Sequence, residues 1–195
     1  MHRTTREIVR YEHPRPGDRL HLDVKKLGRV PDGGGKRFAP GFKETGVGPR
    51  SKRPLGIDCI HVAIDDHSRL AYVEALNDEK GVTTAGFLKR ALAFYLAKGV
   101  TVKRILTDNG TNYRSQVFAD VTREHGIRLK RTRPYRPQTN GKAERFNRIL
   151  QSKWAYSRRF NSNAERLAEL PDYLDYYNYT RQHGGIGEAT PASRL

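Results

Sequence analysis

Three acidic residues stand at positions where an acid is difficult to explain by structure alone. Asp23 lies in the middle of a strand pattern, Asp108 ends a second strand in "ILTDNG", and Glu144 lies in the first turn of a basic helix. Carboxylate oxygens suit Mg²⁺, a hard cation that also accepts water and phosphate oxygens as ligands. Two such ions, about 3.5–4 Å apart, can activate an attacking oxygen and stabilise a leaving one. The pattern therefore indicates metal-dependent chemistry at a phosphate.

Each acid also has a simpler explanation when it is taken alone. "TDNG" is a common turn sequence, and Glu144 can balance charge by pairing with Arg148 four residues later, which contributes only a few tenths of a kcal/mol. Asp65 and Asp66 in "IDDHSR" are interpreted as turn or cap residues, and Asp65 is the fourth and weakest candidate ligand.

Other kinds of site have little support in the sequence. His61, His67 and His125 lack metal-ligand spacing, and the single cysteine, Cys59, excludes a disulfide framework and a cysteine-rich zinc site. We interpret Cys59 as a core residue on a strand. The sequence has no Ser-His-Asp order, Walker loop or GxGxxG motif.

The net charge of the chain indicates which partners it could bind. Lys and Arg total 37 against 21 Asp and Glu, which gives a net charge of +16 and a pI near 10.2. Nucleic acid is the leading candidate partner, because many basic side chains can neutralise its phosphates. The alternative interpretation is that the chain is a generically basic or ribosome-like protein. No membrane partner is expected, since the sequence has neither a transmembrane run nor a signal-peptide pattern, and a cytoplasmic location follows as an expectation.

The elements that must position the acids follow from hydrophobic periodicity. Antiparallel strands followed by alternating helices and strands predict an α/β fold, a mixed sheet with helices on its faces. The predicted strands are 18–28, 57–64, 70–76, 101–110 and 127–132, and the predicted helices are 81–100, 115–126, one from Lys142 and one at 171–183.

The chain divides into three parts. Residues 1–17 are predicted to form an extended basic arm, 18–160 a catalytic core, and 161–195 a C-terminal helical extension of that core. Within the core, the Gly-rich segment 29–54 is a basic excursion, either a disordered connector or a clamp for DNA or a second subunit.

The motifs taken together resemble a known family. "HLDVKKLG" with Asp23, "TDNG" with Asp108 and "PYRPQTNGKAERFNR" with Glu144 are similar to the catalytic core of DDE transposases and retroviral integrases. Positions 108 and 144 differ by 36, which leaves 35 residues between them and matches the D,D-35-E signature. The resemblance covers about residues 7–195 and is strongest to bacterial insertion-sequence transposases of the integrase-like group.

This resemblance implies a fold and a reaction. The fold is ribonuclease H-like, with a five-stranded mixed sheet flanked by helices. Asp23, Asp108 and Glu144 are expected to be the catalytic residues and to ligate two Mg²⁺ or Mn²⁺ ions per active site. Water attacks at an element end, the freed 3′-hydroxyl then attacks target DNA, and no side chain acts as a covalent nucleophile.

The resemblance also favours DNA as the ligand of the basic residues near Glu144. The apolar stripe Ala143, Phe146, Leu150 and Trp154 is predicted to pack on the sheet. The residues predicted to contact DNA are Lys142, Arg145 and Arg148 on the helix, and Asn109, Arg136, Gln138 and Asn140 in the flanking loops.

The expected partners are element ends, target DNA and further copies of the chain assembled on DNA, in a nucleoid-associated bacterial setting. The helix-turn-helix modules that usually precede such cores are not expected here, because the first catalytic strand begins within about two dozen residues of Met1. A hydrolytic nuclease of the same fold, and a truncated, inactive or partner-dependent DNA-binding fragment, are therefore kept as alternatives.

Overall fold

The computed structural model describes residues 12–34, 55–132 and 140–195. The five strands and the four predicted helices lie where the hydrophobic periodicity predicts them, within a few residues at each end, and the short helix Asn163–Ala168 is not predicted individually. The strands are β1 (Leu20–Gly28), β2 (Ile57–Asp65), β3 (Ala71–Leu76), β4 (Arg104–Thr107) and β5 (Arg128–Arg131). The helices are α1 (Gly81–Ala97), α2 (Gln116–Glu124), α3 (Gly141–Leu150), α4 (Asn163–Ala168) and α5 (Leu170–Asp175).

The strands form one sheet in the order β3-β2-β1-β4-β5. β1 pairs antiparallel with β2, and β2 pairs antiparallel with β3. β4 lies parallel to both β1 and β5, because a helix before β4 and another before β5 return the chain to the end of the sheet at which these strands begin. The predicted five-stranded mixed sheet is therefore confirmed.

Helices cover both faces of the sheet and bury two apolar cores. α1 and α2 pack on one face against Leu20, Leu22 and Val24, which alternate along β1. The other face packs against α3, and the predicted stripe Ala143, Phe146, Leu150 and Trp154 is buried there. Since neighbouring strand residues face opposite sides, Asp23 lies on the α3 side of β1.

The end of α3 differs from the single regular helix that the sequence predicts. After Leu150 the helix widens into a π-helical turn over Gln151–Ala155. Trp154 lies in this turn, and its indole Nε1 donates to the carbonyl of Arg166 at 3.0 Å. A second π-helical turn, Tyr176–Thr180, follows α5 inside the segment that is predicted to be helical.

The start of the described chain packs against the sheet. The backbone N–H of Gly17 donates to Asp65 Oδ1 at 2.8 Å, at the end of the segment predicted as an arm. Gly17 has φ +78°, and a Cβ there would lie 2.2 Å from the carbonyl oxygen of Thr101, so only glycine fits. Of the predicted excursion 29–54, residues 35–54 lie outside the described residues. Among the helices that the structure describes, none has the length and apolarity needed to cross a membrane.

Candidate active site

The sheet places Asp23 and Asp108 beside each other. β1 and β4 run parallel, with His21 paired to Leu106. The same register, continued by two residues, sets Asp23 next to Asp108 at the point where β4 ends. Neighbouring strands are about 4.8 Å apart. Two residues that are far apart in sequence therefore become strand neighbours, at a carboxyl end of the kind where sites gather in open sheets.

A tight turn fixes Asp108. Its Oδ1 accepts from the backbone N–H of Gly110 at 2.8 Å, and its carbonyl accepts from Thr107 Oγ1 at 2.8 Å. A Cβ on Gly110 would lie 2.5 Å from Asn112 Oδ1, so a larger residue at this position of the "TDNG" turn would have to displace the Asn112 side chain. Asn109 donates through Nδ2 to the carbonyl of Thr132 at 2.9 Å and thereby ties the turn to the end of β5.

The third acid lies on α3, which Asn147 joins to β1. Asn147 Nδ2 donates to Asp23 Oδ2 at 2.7 Å, one helical turn after Glu144. Glu144 is exposed, and no salt bridge or hydrogen bond engages its carboxylate within the described part of the chain. The pairing with Arg148 that would explain Glu144 as charge balance is therefore not formed among these residues.

The electrostatics of Asp23 show that the three acids share one region. Burial, and then the nearby carboxylates of Asp108 and Glu144, raise the pKa of Asp23 to about 6, against hydrogen bonds from Val24 and Asn147 that lower it. Tyr113 lies in the same region and is buried, so desolvation and the charges of Asp23 and Asp108 raise the pKa of its hydroxyl. The site holds more negative charge than its surroundings neutralise.

A divalent cation fits this donor set. Within the described residues, no group of three His, Cys, Asp or Glu side chains is close enough to form a closed metal site. The three acids nevertheless offer only oxygen donors, the ligands that Mg²⁺ and Mn²⁺ prefer. A bound cation would also neutralise the negative charge of Asp23. The residues present therefore fit the metal that the sequence predicts.

We expect the half-buried charge of Asp23 to destabilise the metal-free protein above pH 6. Between about pH 4 and pH 6 the folded chain binds a proton that the unfolded chain has lost, so this group's stabilising contribution falls as the pH rises through that window. In EDTA at pH 8, Asp23→Asn should unfold with a free energy about 2 kcal/mol higher than the wild type, after allowance for one lost hydrogen bond.

Urea unfolding at pH 8 and pH 4.5 measures this effect. The advantage of Asp23→Asn should disappear at the lower pH, where the wild-type carboxyl is protonated. Asp120→Asn is the matched control, because Asp120 accepts hydrogen bonds from Gln116 and Arg123 at the surface and should not stabilise at pH 8. An unchanged difference between the two pH values would contradict the raised pKa.

A buried polar network holds the start of α3 against the sheet. Asp66, 1% exposed, accepts from His21 Nε2 at 2.7 Å and from Lys142 Nζ at 2.5 Å. The other ring nitrogen of His21 faces Asn140 Oδ1 at 3.1 Å, and Asn140 donates to the carbonyl of Leu22 at 3.1 Å. Although burial opposes it, the hydrogen bonds from His21 and Lys142 hold the pKa of Asp66 well below its usual range.

This network gives two predicted DNA contacts a structural role. Lys142 is 20% exposed and is committed to Asp66, while Asn140 is buried under the first turn of α3. Both residues therefore orient the helix that bears Glu144. Arg148 is exposed, and no acid of the described chain pairs with it, so it remains available to a phosphate.

We expect Lys142→Gln to change the stability of the protein and Arg148→Gln to change its affinity for DNA. Lys142→Gln leaves the buried Asp66 carboxylate short of a partner and should lower the free energy of unfolding by about 2 kcal/mol, with little change in DNA affinity. Arg148→Gln should weaken DNA binding several-fold and leave stability unchanged. Urea unfolding and fluorescence anisotropy separate the two, and equal stability of both variants would contradict the assignment of Lys142.

The remaining predicted site residues have mixed outcomes. Arg145 lies on α3 but faces a cavity on another side of the helix, while Arg136 and Gln138 lie outside the described residues. Asp65 is not available to a metal, since its carboxylate caps the β2–β3 turn through Ser68 and accepts from Gly17, as its interpretation as a cap residue predicts.

Sequence reasoning missed Asn147 and the His21–Asp66 pair. Asn147 lies three residues after Glu144 in a helix, which is a local signal that could have identified it. The pairing of His21 with Asp66 is set by the antiparallel register of β1 and β2, in which His21 lies opposite Ile64. The polar content of "HLD" and "IDDH" gives no comparable signal.

Comparison with known proteins gives a consistent result. A family model described as Integrase core domain matches residues 13–137, and a second model with the same description matches residues 125–191. The retrovirus-related Pol polyprotein from transposon TNT 1-94 of Nicotiana tabacum is 39% identical over 90 residues. That match covers 46% of this chain and only 7% of the polyprotein, so the chain spans a small fraction of this relative.

Solved structures resemble the whole described domain. The simian T-cell lymphotropic virus intasome in complex with PP2A regulatory subunit B56 gamma matches with a TM-score of 0.67 at 20% identity, over 94% of this chain and 56% of that one. The HTLV-2 integrase catalytic core domain in complex with magnesium, in its trimeric form, matches with a TM-score of 0.62 at 17% identity, over 93% and 97%.

The catalytic core domain of BIV integrase is a further similar structure, with a TM-score of 0.57 at 20% identity over 91% of this chain and 92% of that one. At these identities the likeness concerns the fold. The predicted ribonuclease H-like arrangement is thereby confirmed.

Proposed function

The chain belongs to the integrase core domain family, and we propose on that basis that it cleaves and joins DNA strands during transposition. It is an integrase-type catalytic core of the retroviral and transposon kind. The proposed reaction is metal-dependent cleavage at an element end, followed by attack of the freed 3′-hydroxyl on target DNA.

The observation that supports this proposal most is the parallel register of β1 and β4, which sets Asp23 beside Asp108 at the end of β4. The pKa of the half-buried Asp23 agrees with this arrangement, since desolvation and the carboxylates of Asp108 and Glu144 raise it to about 6. A structural acid is usually paired with a base, as Asp66 is with Lys142. An uncompensated acidic group of this kind is typical of a functional site.

Asp23, Asp108 and Glu144 are the residues that would hold Mg²⁺ or Mn²⁺, and we propose two ions per site. When bound, the ions would activate the attacking water or 3′-hydroxyl and neutralise charge that develops on the phosphate. The proposed reaction uses no side chain as a covalent nucleophile.

The other residues of the site orient the acids and the DNA. Asn147 and the Val24 N–H each donate to one oxygen of Asp23, and the Gly110 N–H donates to one oxygen of Asp108, so both carboxylates are held in a defined orientation. Arg148 lies one turn after Glu144 on the same face of α3 and can hold a phosphate beside it. DNA is thus the proposed substrate, and assembly of several copies on DNA is the proposed working state.

A strand-transfer assay tests the proposal. Purified protein is mixed with pre-nicked duplex ends taken from the DNA that flanks its coding sequence, with plasmid target and with Mg²⁺ or Mn²⁺. Joined products are the expected result. Nicking without joining would instead assign a hydrolytic nuclease, and DNA binding without any cleavage in either metal would assign a non-catalytic DNA-binding fragment.

A further inference from the structure

A cavity of about 520 Å³ lies beside α3, on a different face from Glu144. Its wall includes Arg69 from the turn between β2 and β3 and residues from the segment 181–185. With 3.6 residues per turn, Lys142 and Arg145 project from the cavity side of α3, while Glu144 projects toward the acidic site. The helix therefore separates two sites of opposite charge.

The cavity wall contains four basic side chains and one acidic side chain, Glu12. Two of the basic groups have carboxylate partners, since Arg69 Nη2 donates to Glu12 at 2.8 Å and Lys142 pairs with Asp66. Arg145 forms no salt bridge or hydrogen bond with any residue of the described ranges 12–34, 55–132 and 140–195. Its positive charge is consequently uncompensated there.

The fourth basic group, Arg181, has only neutral partners in the described chain, the imidazole of His183 and the ring of Tyr177, whose centroid is 5.9 Å from the guanidinium. Its Nη1 donates to His183 Nδ1 at 3.0 Å. Burial, followed by the charge of Arg181, lowers the pKa of His183, so the imidazole accepts this bond in its neutral form. The opposite ring nitrogen, Nε2, faces the carbonyl of Tyr177 at 3.3 Å. The bond to His183 therefore leaves the charge of Arg181 without a counter-ion.

Arg69 is a third basic side chain of the cavity whose hydrogen-bond donors are not all satisfied. Its backbone has φ +67°, a left-handed conformation that non-glycine residues rarely adopt. Its Nη1 is buried and has no hydrogen-bond partner among the described residues. A buried guanidinium N–H without an acceptor is unfavourable, and a bound anion would supply the acceptor.

The floor of the cavity is apolar and closed. Phe146 and Tyr177 are 1% and 2% exposed, and their rings meet edge to face at 4.8 Å. Neither ring presents a free face on which a nucleobase could stack. The cavity therefore offers charge to a phosphate and no base-reading surface, which suits a sequence-independent contact.

We propose that this cavity binds a backbone phosphate of DNA through Arg145 and Arg181, with Arg69 behind them. The proposal rests on the proposed function, because DNA is the polyanion that this core would handle. Guanidinium groups match phosphate oxygens in geometry and charge. Since α3 lies between this phosphate and the acids, the DNA segment held here is distinct from the reacting phosphodiester, and α3 becomes a divider between two DNA contacts.

Fluorescence anisotropy with a random-sequence duplex in EDTA, from 50 to 200 mM KCl, tests the proposal. Arg145→Gln is the main variant because Arg145 makes no contact within the described chain that folding requires. We expect roughly tenfold weaker binding and a salt slope smaller by about one. Arg181→Gln should match it, and the double variant should lose little more, because both side chains bind one phosphate. Lys89→Gln on α1, across the sheet, is the matched control and should bind as the wild type does.

A second measurement follows the arginine Nε–H signals by NMR during titration with inorganic pyrophosphate. Shifts confined to Arg69, Arg145 and Arg181, with Arg128 unmoved, are the expected result. If those signals shift while Arg145→Gln binds DNA as tightly as Lys89→Gln does, the cavity serves another anionic partner, such as an acidic protein segment, and the DNA proposal is overturned. Absence of both effects overturns it as well.

These outcomes are separate from those of the catalytic proposal. Weaker DNA binding by Arg145→Gln in a protein that never joins strands would support the phosphate site and contradict the transposition function. Strand transfer by a protein whose Arg145→Gln variant binds normally would support the function and contradict the phosphate site.

Discussion

Asp108→Asn is expected to reduce strand transfer by about 10³-fold while leaving DNA binding and the fold in place. The substitution removes one of the three charges that would hold the divalent ions. It keeps a side-chain oxygen that can still accept from the Gly110 N–H, so the turn should not change. With one carboxylate fewer nearby, the pKa of Asp23 should also fall below its wild-type value of about 6.

The strand-transfer assay and an NMR titration of Asp23 measure these two effects. Glu144→Gln should be equally inactive, because it too removes one of the three charges. It should leave the fold in place, since the Glu144 carboxylate has no salt bridge to lose within the described chain. Asp120→Asn removes an exposed acid from α2 and should retain full activity. Activity of Asp108→Asn within tenfold of the wild type would refute the assignment of the three acids as metal ligands.

Asp58→Ala is expected to cause the largest loss of stability, about 3–5 kcal/mol. Asp58 is buried in β2 and accepts from Arg29 Nε at 2.9 Å, Arg166 Nη2 at 3.0 Å and Asn163 Nδ2 at 2.8 Å. Arg166 is 0% exposed, and its Nε and Nη1 already lack partners among the described residues. Removing Asp58 would leave a buried guanidinium with no counter-ion.

Urea unfolding at pH 7 measures the loss, and two further variants define its cause. Asp120→Ala breaks a solvent-exposed pair with Arg123 and should cost less than about 1 kcal/mol. The double variant Asp58→Leu/Arg166→Met removes both charges and should recover most of the loss, since an apolar pair has no ion to desolvate. A loss below about 1 kcal/mol for Asp58→Ala would show that water reaches Arg166.

Local patterns were sufficient to predict the sheet and the positions of Asp23 and Asp108 on it. Alternation in "DRLHLDVKKLG" predicts β1 and the side of the strand on which Asp23 lies, and the "TDNG" turn predicts the end of β4. Each of these signals concerns residues within a few positions of one another. The apolar stripe through Phe146 likewise predicts which side of α3 is buried.

The partners of the basic residues could not be predicted in the same way. Lys142 is predicted to contact DNA because it lies two residues before Glu144. Its partner in the structure is Asp66, which is 76 positions away in the sequence. The cavity beside Arg145 depends on where residues 181–185 return to α3. Such contacts follow from the packing of distant elements, and the side chains of Lys and Arg have no local pattern that distinguishes a buried ion pair from a phosphate contact.

The placement of Asn147 against Asp23, which are 124 positions apart in the chain, has a consequence for biosynthesis. At about 5–20 residues per second, a ribosome needs on the order of 10 s to add the segment between them. During that interval β1 already exists, but α3 has not been made, so the acids from the two ends of the domain cannot come together. A nascent chain therefore lacks the assembled acidic site, and the proposed cleavage of DNA could begin only after the helix that bears Glu144 has been translated.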